Sequence, residues 1–195
     1  MVSWVHLRYN TSYLLDILGM IVRNKDQRVA VLVDVQNLYY SAKNLYSAKI
    51  NFKNLLDVAV QGRILTRAIA YVINTELGKK NEFFDAVNSA GFETKEKELQ
   101  IFAGGAKKGD WDVGMAMDAV RLGNKVDSIV LISGDGDFKP VVNYLQQSLG
   151  CLVEVVAFGK TANAGLVEQA DDFFDIDKNQ AKLIFKERKA SEPRP

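Results

Sequence analysis

The chain has 195 residues, 48% of them hydrophobic and 25% charged, and its 25 Lys and Arg against 24 Asp and Glu leave a net charge of +1. This composition is typical of a globular domain with a substantial core, and the balanced charge predicts no broad polyanion-binding surface. A single histidine and a single cysteine, His6 and Cys151, exclude a Cys/His zinc site and an internal disulfide. They also disfavour His-based catalytic triads, so any chemistry is expected to depend on carboxylates.

The N-terminal segment gives no sign of a membrane or secretory protein. Its longest apolar run, residues 14–22, contains Asp16 and is far shorter than the ~20 residues of a membrane span. A basic start and a small-residue cleavage site, the marks of a signal peptide, are also missing. We therefore expect no membrane partner and a cytoplasmic location, which the lone cysteine also fits.

Both ends of the chain differ from its body. Residues 1–27 are predicted to form a helical extension, and residues 178–195, with 6 basic and 2 acidic groups, a basic tail. The body between them, residues 28–177, is mildly acidic. The extension carries an amphipathic stripe that could support a homodimer or pack on its own domain. The stripe consists of Tyr13, Leu14, Ile17, Leu18 and Ile21.

Hydrophobic runs typical of strands begin at residue 29. The run at 29–33 is apolar throughout and rich in β-branched residues, which favours a strand buried on both faces. A charged segment at 93–102 is predicted to be an edge strand, because charge there discourages pairing with other chains. The other predicted strands are 64–73, 129–132 and 152–158.

Apolar residues at helical spacing fill the intervals between these strands. The four stripes are Phe52, Leu55, Leu56 and Ala59; Phe83, Phe84 and Val87; Val113, Ala116, Met117 and Val120; and Val141, Tyr144 and Leu145. Strands separated by helices of this length pair in parallel through right-handed crossovers. The sequence therefore predicts an open α/β sheet with helices on both faces and a functional crevice beyond the carboxyl ends of its strands.

Four aspartates follow predicted strands at that edge. Asp34 ends the first strand, Asp112 follows the third after a glycine-rich stretch, and Asp135 and Asp137 follow the fourth. So many like charges would raise one another's pKa values unless a cation neutralised them. Oxygen ligands favour Mg²⁺ or Mn²⁺, ions that polarise phosphates and lower the pKa of an attacking water. This pattern predicts metal-dependent phosphoryl chemistry.

Some of these residues also have a purely structural interpretation. Asp112 and Asp137 precede helical stripes and could be N-caps, a role worth ~1 kcal/mol. Asn37 could cap a helix that begins near Leu38 or could, like Ser133, offer a neutral hydrogen bond at the site.

Four further residues are ambiguous. Lys108, in the glycine-rich loop, could hold a phosphate or be a solvated charge. Tyr39 and Tyr40 could stack on bases or belong to the core. Asp118 lies about 120° around the helix from Asp112 and could support the site from behind.

Three stretches resemble the NYN family of PIN-like nuclease domains, specifically its LabA-like branch. They are Val31-Leu-Val-Asp-Val-Gln-Asn37, Lys108-Gly-Asp-Trp-Asp-Val-Gly-Met-Ala-Met-Asp118 and Val130-Leu-Ile-Ser-Gly-Asp-Gly-Asp-Phe138. A closing segment, Leu166 followed by Ala170-Asp-Asp-Phe173, is also similar to the family. The resemblance covers residues 28–177.

The resemblance implies a PIN-like, three-layer α/β/α fold with a central five-stranded, mostly parallel sheet in the order 3-2-1-4-5. It also implies an Mg²⁺- or Mn²⁺-dependent ribonuclease that hydrolyses phosphodiester bonds in RNA, which we expect to be single-stranded. By motif position, the catalytic and metal-binding acids would be Asp34, Asp112, Asp135 and Asp137. Asn37, Ser133 and Lys108 would orient the site or contact the substrate.

Two other functions compete with this one. A non-catalytic PIN-like module could bind RNA or a protein and regulate it. A phosphatase of the haloacid-dehalogenase kind has a similar acidic loop, but it needs a second acid two residues after its nucleophilic aspartate, and Gln36 stands at that position.

Overall fold

A six-stranded parallel sheet forms the centre of the computed structural model, which describes residues 23–74, 80–98, 100–101, 107–108 and 110–186. The strands are β1 (Arg28–Asp34), β2 (Ile64–Asn74), β3 (Glu93–Glu98), β4 (Ser128–Ile132), β5 (Leu152–Ala157) and β6 (Asp172–Asp175). They lie in the order β3-β2-β1-β4-β5-β6, and every neighbouring pair is parallel. The α/β class and the predicted order of the first five strands are confirmed.

The predicted number of five strands is wrong, because β6 adds a sixth strand beside β5. Phe173 and Phe174 alternate across β6 and pack on opposite faces of the sheet. The acidic residues Asp172 and Asp175 bound this short pair, so it lacks the long apolar run from which strands were predicted.

The charged third strand occupies an edge of the sheet, as predicted, but it is shorter than residues 93–102. β3 ends at Glu98, and Gln100–Ile101 then pairs antiparallel with Lys107–Lys108. This second pairing is separate from the main sheet.

Seven helices cover the two faces of the sheet within the described residues. One face carries α1 (Val35–Tyr46), α2 (Phe52–Val60), α3 (Lys80–Ser89) and α7 (Gln180–Leu183), and the other carries α4 (Asp112–Gly123), α5 (Lys139–Leu149) and α6 (Ala164–Gln169). The residues of β1 alternate between the two cores: Val29, Val31 and Val33 face the first, and Ala30 and Leu32 face the second. The predicted three-layer arrangement is confirmed.

The apolar stripe predicted for α4 is wrong at two of its four positions, since only Ala116 and Val120 pack against the core. Val113 and Met117 are 73% and 59% exposed, whereas Met115, Ala119 and Leu122 are buried. Apolar residues occur on both sides of α4, so spacing alone could not select the buried side. The stripe of α5 is wrong at one position, since Tyr144 is exposed, and it omits Val142, which is buried.

Packed structure extends past both predicted limits of the body. Arg23 forms ion pairs with Glu154 and Asp172, and Leu183 of α7 is fully buried in the core. Ile184–Lys186 pairs antiparallel with Ala48–Ile50. The division at 27/28 and 177/178 stays a prediction, and the amphipathic stripe of the extension lies outside the described residues. None of the helices in the described part of the chain has the length and apolarity needed to cross a membrane.

Candidate active site

The carboxyl ends of β1 and β4 lie side by side and bring two acidic turns together. Val33 is in register with Ile132, so Asp34 and the turn at 133–138 project from the same edge of the sheet. The first turn leads directly into α1, and the second forms a short 3₁₀ helix, Gly136–Phe138, before α5. This is the edge at which the parallel order predicted a functional crevice.

Hydrogen bonds hold these two turns to each other. The Asp34 carboxylate accepts from the backbone N–H of Asn37 at 3.0 Å and from the Ser133 hydroxyl at 3.2 Å. The Ser133 oxygen in turn accepts from the N–H of Asp135 at 3.2 Å, and Asn37 Oδ1 accepts from the N–H of Gly134 at 3.1 Å. Asp34, Asn37 and Ser133 therefore fix the position of the Asp135 turn relative to β1.

Asp112, Asp135 and Asp137 form a carboxylate trio at this edge. One oxygen from each lies within 4.8 Å of the other two. Asp135 Oδ1 accepts the N–H of Asp137 at 2.9 Å, which closes the turn. A side chain at Gly136 would lie 2.6 Å from Asn163 Nδ2, so the residue between the two acids must be small. Asp34 is outside the trio but adjoins it through Ser133.

Burial and neighbouring negative charges raise the pKa values of two carboxyl groups in the site. The pKa of Asp112 is raised to about 6, first by burial and then by the negative charges of Asp135, Asp110, Asp34 and Asp137. Burial also raises the pKa of Asp34, and the hydrogen bonds to its carboxylate offset only part of that effect. The site thus disfavours its own negative charge, which a bound cation would neutralise.

The trio fits a small divalent cation. All its donors are carboxylate oxygens, the ligand type that Mg²⁺ and Mn²⁺ prefer. Oxygens bound to one Mg²⁺ at about 2.1 Å lie at most about 4.2 Å apart, so small side-chain rotations would bring the trio into range. Its residues come from α4 and from the turn after β4, elements far apart in the chain.

The structural interpretations of Asp112 and Asp137 as helix caps are wrong. Asp112 is the first residue of α4, whose N-cap is Trp111, and Asp137 lies inside the 3₁₀ turn. Within the described part of the chain, neither carboxylate accepts a hydrogen bond from a helix N–H. Asp34 and Asp135 are the residues that cap, for α1 and the 3₁₀ turn respectively.

Asn37 is not a cap either, since α1 begins at Val35 and Asn37 lies within its first turn. Lys108 has a described backbone in the short antiparallel pair, but its side chain lies outside the described part of the structure.

Two lysines of the edge strand β3 contact residues near the site: Lys97 binds Asp110 and Lys95 binds Asp118. The sequence did not predict these contacts. Lys97 Nζ donates to the Asp110 carbonyl at 3.0 Å, and Trp111 Nε1 donates to the Val72 carbonyl at 3.0 Å. Lys95 and Tyr71 both bind Asp118, which is buried. Asp118 therefore points to β2 and β3 rather than into the trio, and these bonds anchor α4 and the residues before it.

A cleft of about 360 Å³ opens over the acids. Its walls include Asp34, Asp110, Asp112 and Asp135 together with neutral polar and aromatic side chains that the sequence analysis did not group. These are Gln36, Asn37, Tyr40, Ser41, Asn44, Tyr71, Trp111 and Thr161. The residues of α1 in this set are spaced so that they share one face of the helix, and α1 therefore forms one wall of the cleft.

A parallel sheet in this order, with acids clustered in a cleft at its carboxyl edge, is compatible with a PIN-like fold. The NYN domain profile matches residues 28–177, and the chain belongs to the NYN domain family. A crystal structure of a protein of unknown function from Vibrio parahaemolyticus is similar, with 32% identity, a TM-score of 0.75 and coverage of 85% of this chain and 100% of that one. No curated protein gives a significant match to the chain.

Proposed function

We propose that this protein is a metal-dependent ribonuclease of the LabA-like branch, which hydrolyses phosphodiester bonds in single-stranded RNA. The observation that carries the proposal is the carboxylate trio of Asp112, Asp135 and Asp137 at the carboxyl edge of a NYN domain. Oxygen-only sites at this place in an α/β fold suit Mg²⁺ or Mn²⁺.

Each residue of the site has a distinct role in the proposal. Asp112, Asp135 and Asp137 hold the cation together with Asp34, which adjoins the trio. Asn37 and Ser133 keep the two acidic turns in register through their hydrogen bonds. When bound, Mg²⁺ or Mn²⁺ polarises the phosphate and lowers the pKa of the attacking water.

The negative charge of the cleft is a reason to propose a bound cation. The described residues that line the cleft include four aspartates and no Lys or Arg. A phosphate would be repelled from such a surface unless a divalent ion neutralised it, because phosphate contacts normally come from cations. Lys108, close in sequence to Asp112, is proposed to add a phosphate contact at the rim.

The first test is cleavage of labelled single-stranded RNA by the purified protein in Mg²⁺, Mn²⁺ or a chelator. We expect cleavage only with metal, and the Asp34→Asn variant should lose about a thousandfold in rate, because several kcal/mol of transition-state stabilisation is at stake. The matched control is Asp26→Asn, which removes an exposed carboxylate far from the cleft and should cleave normally.

Retention of RNA without cleavage, unaltered by Asp34→Asn, would instead support a non-catalytic binding module. Cleavage that persists in the chelator would contradict the proposed metal dependence. We further propose a cytoplasmic location, where the buried Cys151 stays reduced, and a homodimer formed through the N-terminal stripe.

A further inference from the structure

One wall of the cleft is a ridge of α1. Gln36, Tyr40 and Asn44 follow one another at four-residue intervals and all line the cleft. Side chains at this spacing lie on one face of a helix. The cleft therefore combines acidic groups, Asp34, Asp112 and Asp135, with the neutral amides and the aromatic ring of this ridge.

Tyr40 presents an aromatic ring that is held in place but open to solvent. It is 45% exposed, although it belongs to a helix whose other face is in the core. Tyr39 packs edge-on against it, with ring centroids 5.5 Å apart, and Lys43 lies over the Tyr39 ring at 5.5 Å. These contacts restrain the ring before any ligand arrives, which lowers the entropic cost of stacking on it.

The two amides of the ridge are available to a ligand. Among the described residues, neither the Gln36 nor the Asn44 side chain makes a hydrogen bond. An amide offers both a donor and an acceptor, the combination that reads the edge of an unpaired base. Beside them, the Ser41 and Thr161 hydroxyls bond at 3.1 Å and link α1 to the segment after β5.

The neutrality of this wall decides which part of a nucleic acid it fits. A wall for phosphates would carry Lys or Arg, and none is found among the described lining residues. An uncharged base needs a π-face and hydrogen-bonding groups, and the ridge supplies both.

We infer that the Gln36–Tyr40–Asn44 ridge is a nucleobase-binding subsite, in which Tyr40 stacks on an unpaired base while the two amides read its edge. This inference rests on the proposed function in one respect: the base belongs to a nucleotide flanking the phosphate at the trio. A paired base cannot expose its face in this way, so the subsite selects single-stranded RNA and imposes a base preference next to the cut.

Binding is tested separately from cleavage in the Asp34→Asn background with Mn²⁺, where RNA stays intact. Fluorescence anisotropy with labelled single-stranded RNA should show that Tyr40→Ala weakens binding by about tenfold, since base stacking on an aromatic ring is of that size. Tyr40→Phe keeps the ring and should bind nearly as the parent does. The matched control is Tyr144→Ala on α5, because Tyr144 is 46% exposed and lies outside the cleft.

Cleavage kinetics give the second measurement. In the otherwise unaltered protein, Tyr40→Ala should raise KM about tenfold and leave kcat nearly unchanged, because the ring binds the base and not the reacting atoms. Gln36→Ala and Asn44→Ala should change the base preference at the cut, read by sequencing the products. Mn²⁺ is expected to raise the Tm by binding the native state, and the rise should be the same in Tyr40→Ala and the parent, because Tyr40 does not bind the ion.

The outcomes separate this inference from the proposed function. Equal RNA binding by Tyr40→Ala and Tyr144→Ala would overturn the subsite even if the wild-type protein cleaves RNA. Tyr40-dependent binding without any cleavage would support the subsite and refute the ribonuclease. An absence of RNA binding in every variant would overturn both.

Discussion

In a chelating buffer at about pH 8, the Asp112→Asn variant is expected to have a higher free energy of unfolding than the wild-type protein, by about 1 kcal/mol. Asp112 is ionised at this pH, and its charge is opposed by burial and by the carboxylates around it. Asparagine has similar size and no charge, so it removes the repulsion. The loss of a favourable charge at the N-terminus of α4 offsets part of the gain.

The pH dependence of the unfolding free energy follows from the direction in which the pKa of Asp112 is shifted. The native state raises the pKa of Asp112 from 3.8 to about 6 and therefore binds its proton more tightly than the unfolded chain does. The wild-type protein thus loses stability as the pH rises from about 4 to about 6, and the penalty is constant above that range. The full shift corresponds nominally to about 3 kcal/mol, which solvent screening reduces to the smaller value expected here. Urea denaturation at about pH 4 should show little difference between the two proteins.

Mn²⁺ should reverse this order and make the wild-type protein more stable than Asp112→Asn. Mn²⁺ at about 100 times its Kd stabilises a native state that binds it by about 2.7 kcal/mol, and the variant lacks one ligand of the trio. The same variant should lose about a thousandfold in RNA cleavage, since several kcal/mol of metal-dependent stabilisation is lost. The exposed Asp26→Asn is the control for both measurements. A variant that is destabilised and indifferent to Mn²⁺ would show that Asp112 serves only the N-terminus of α4.

The central strands were predictable because their apolar runs are local and unbroken. The part of β1 between Val29 and Val33 is wholly buried, and this burial can be deduced from five consecutive apolar residues. The approximate position of the acids followed from the same reasoning, since parallel strands end at one edge. β6 escaped prediction because its apolar residues are only Phe173 and Phe174, and they pack on opposite faces of the sheet.

The buried face of α4 and the anchoring of the site depend on contacts between distant residues. Asp118 lies on the buried side only because Tyr71 and Lys95, 47 and 23 residues away, bind its carboxylate. No local pattern marks such an acid as buried. The place of the α1 ridge in the cleft could not be predicted either. The sequence shows that Gln36, Tyr40 and Asn44 share a helix face, but it does not show that this face lines a cleft.

Glu154 is a charged residue inside an otherwise apolar strand, and the loss of its charge is expected to destabilise the fold strongly. It lies in the middle of β5 with its side chain 5% exposed, and it pairs with Arg63, whose side chain is 1% exposed. The Ser128 hydroxyl donates to it at 2.7 Å, and Arg23 adds a bond at 3.2 Å. Burial opposes its charge, but hydrogen bonds from Arg63 and Ser128, together with the positive charges of Arg63 and Arg23, lower its pKa.

The Glu154→Gln variant should lose about 3–5 kcal/mol of unfolding free energy at neutral pH, because it leaves the Arg63 guanidinium buried without a counter-charge. Arg63 also donates to the carbonyls of Val60 and Ala59, so the end of α2 is expected to loosen with it. Since the native pKa of Glu154 is depressed, its contribution is present above its unfolded pKa and disappears as the pH falls through the native value. Urea denaturation at neutral and acidic pH measures both effects.

The exposed pair of Arg67 and Glu93 provides the control for this experiment. Its side chains are 41% and 53% exposed, and Glu93→Gln should cost less than about 1 kcal/mol. Replacing both buried partners, as Arg63→Met with Glu154→Leu, should recover most of the loss, because no uncompensated charge stays inside. Equal losses for Glu154→Gln and Glu93→Gln would mean that water reaches Arg63 in solution and that the pair is not the buried link between α2 and β5.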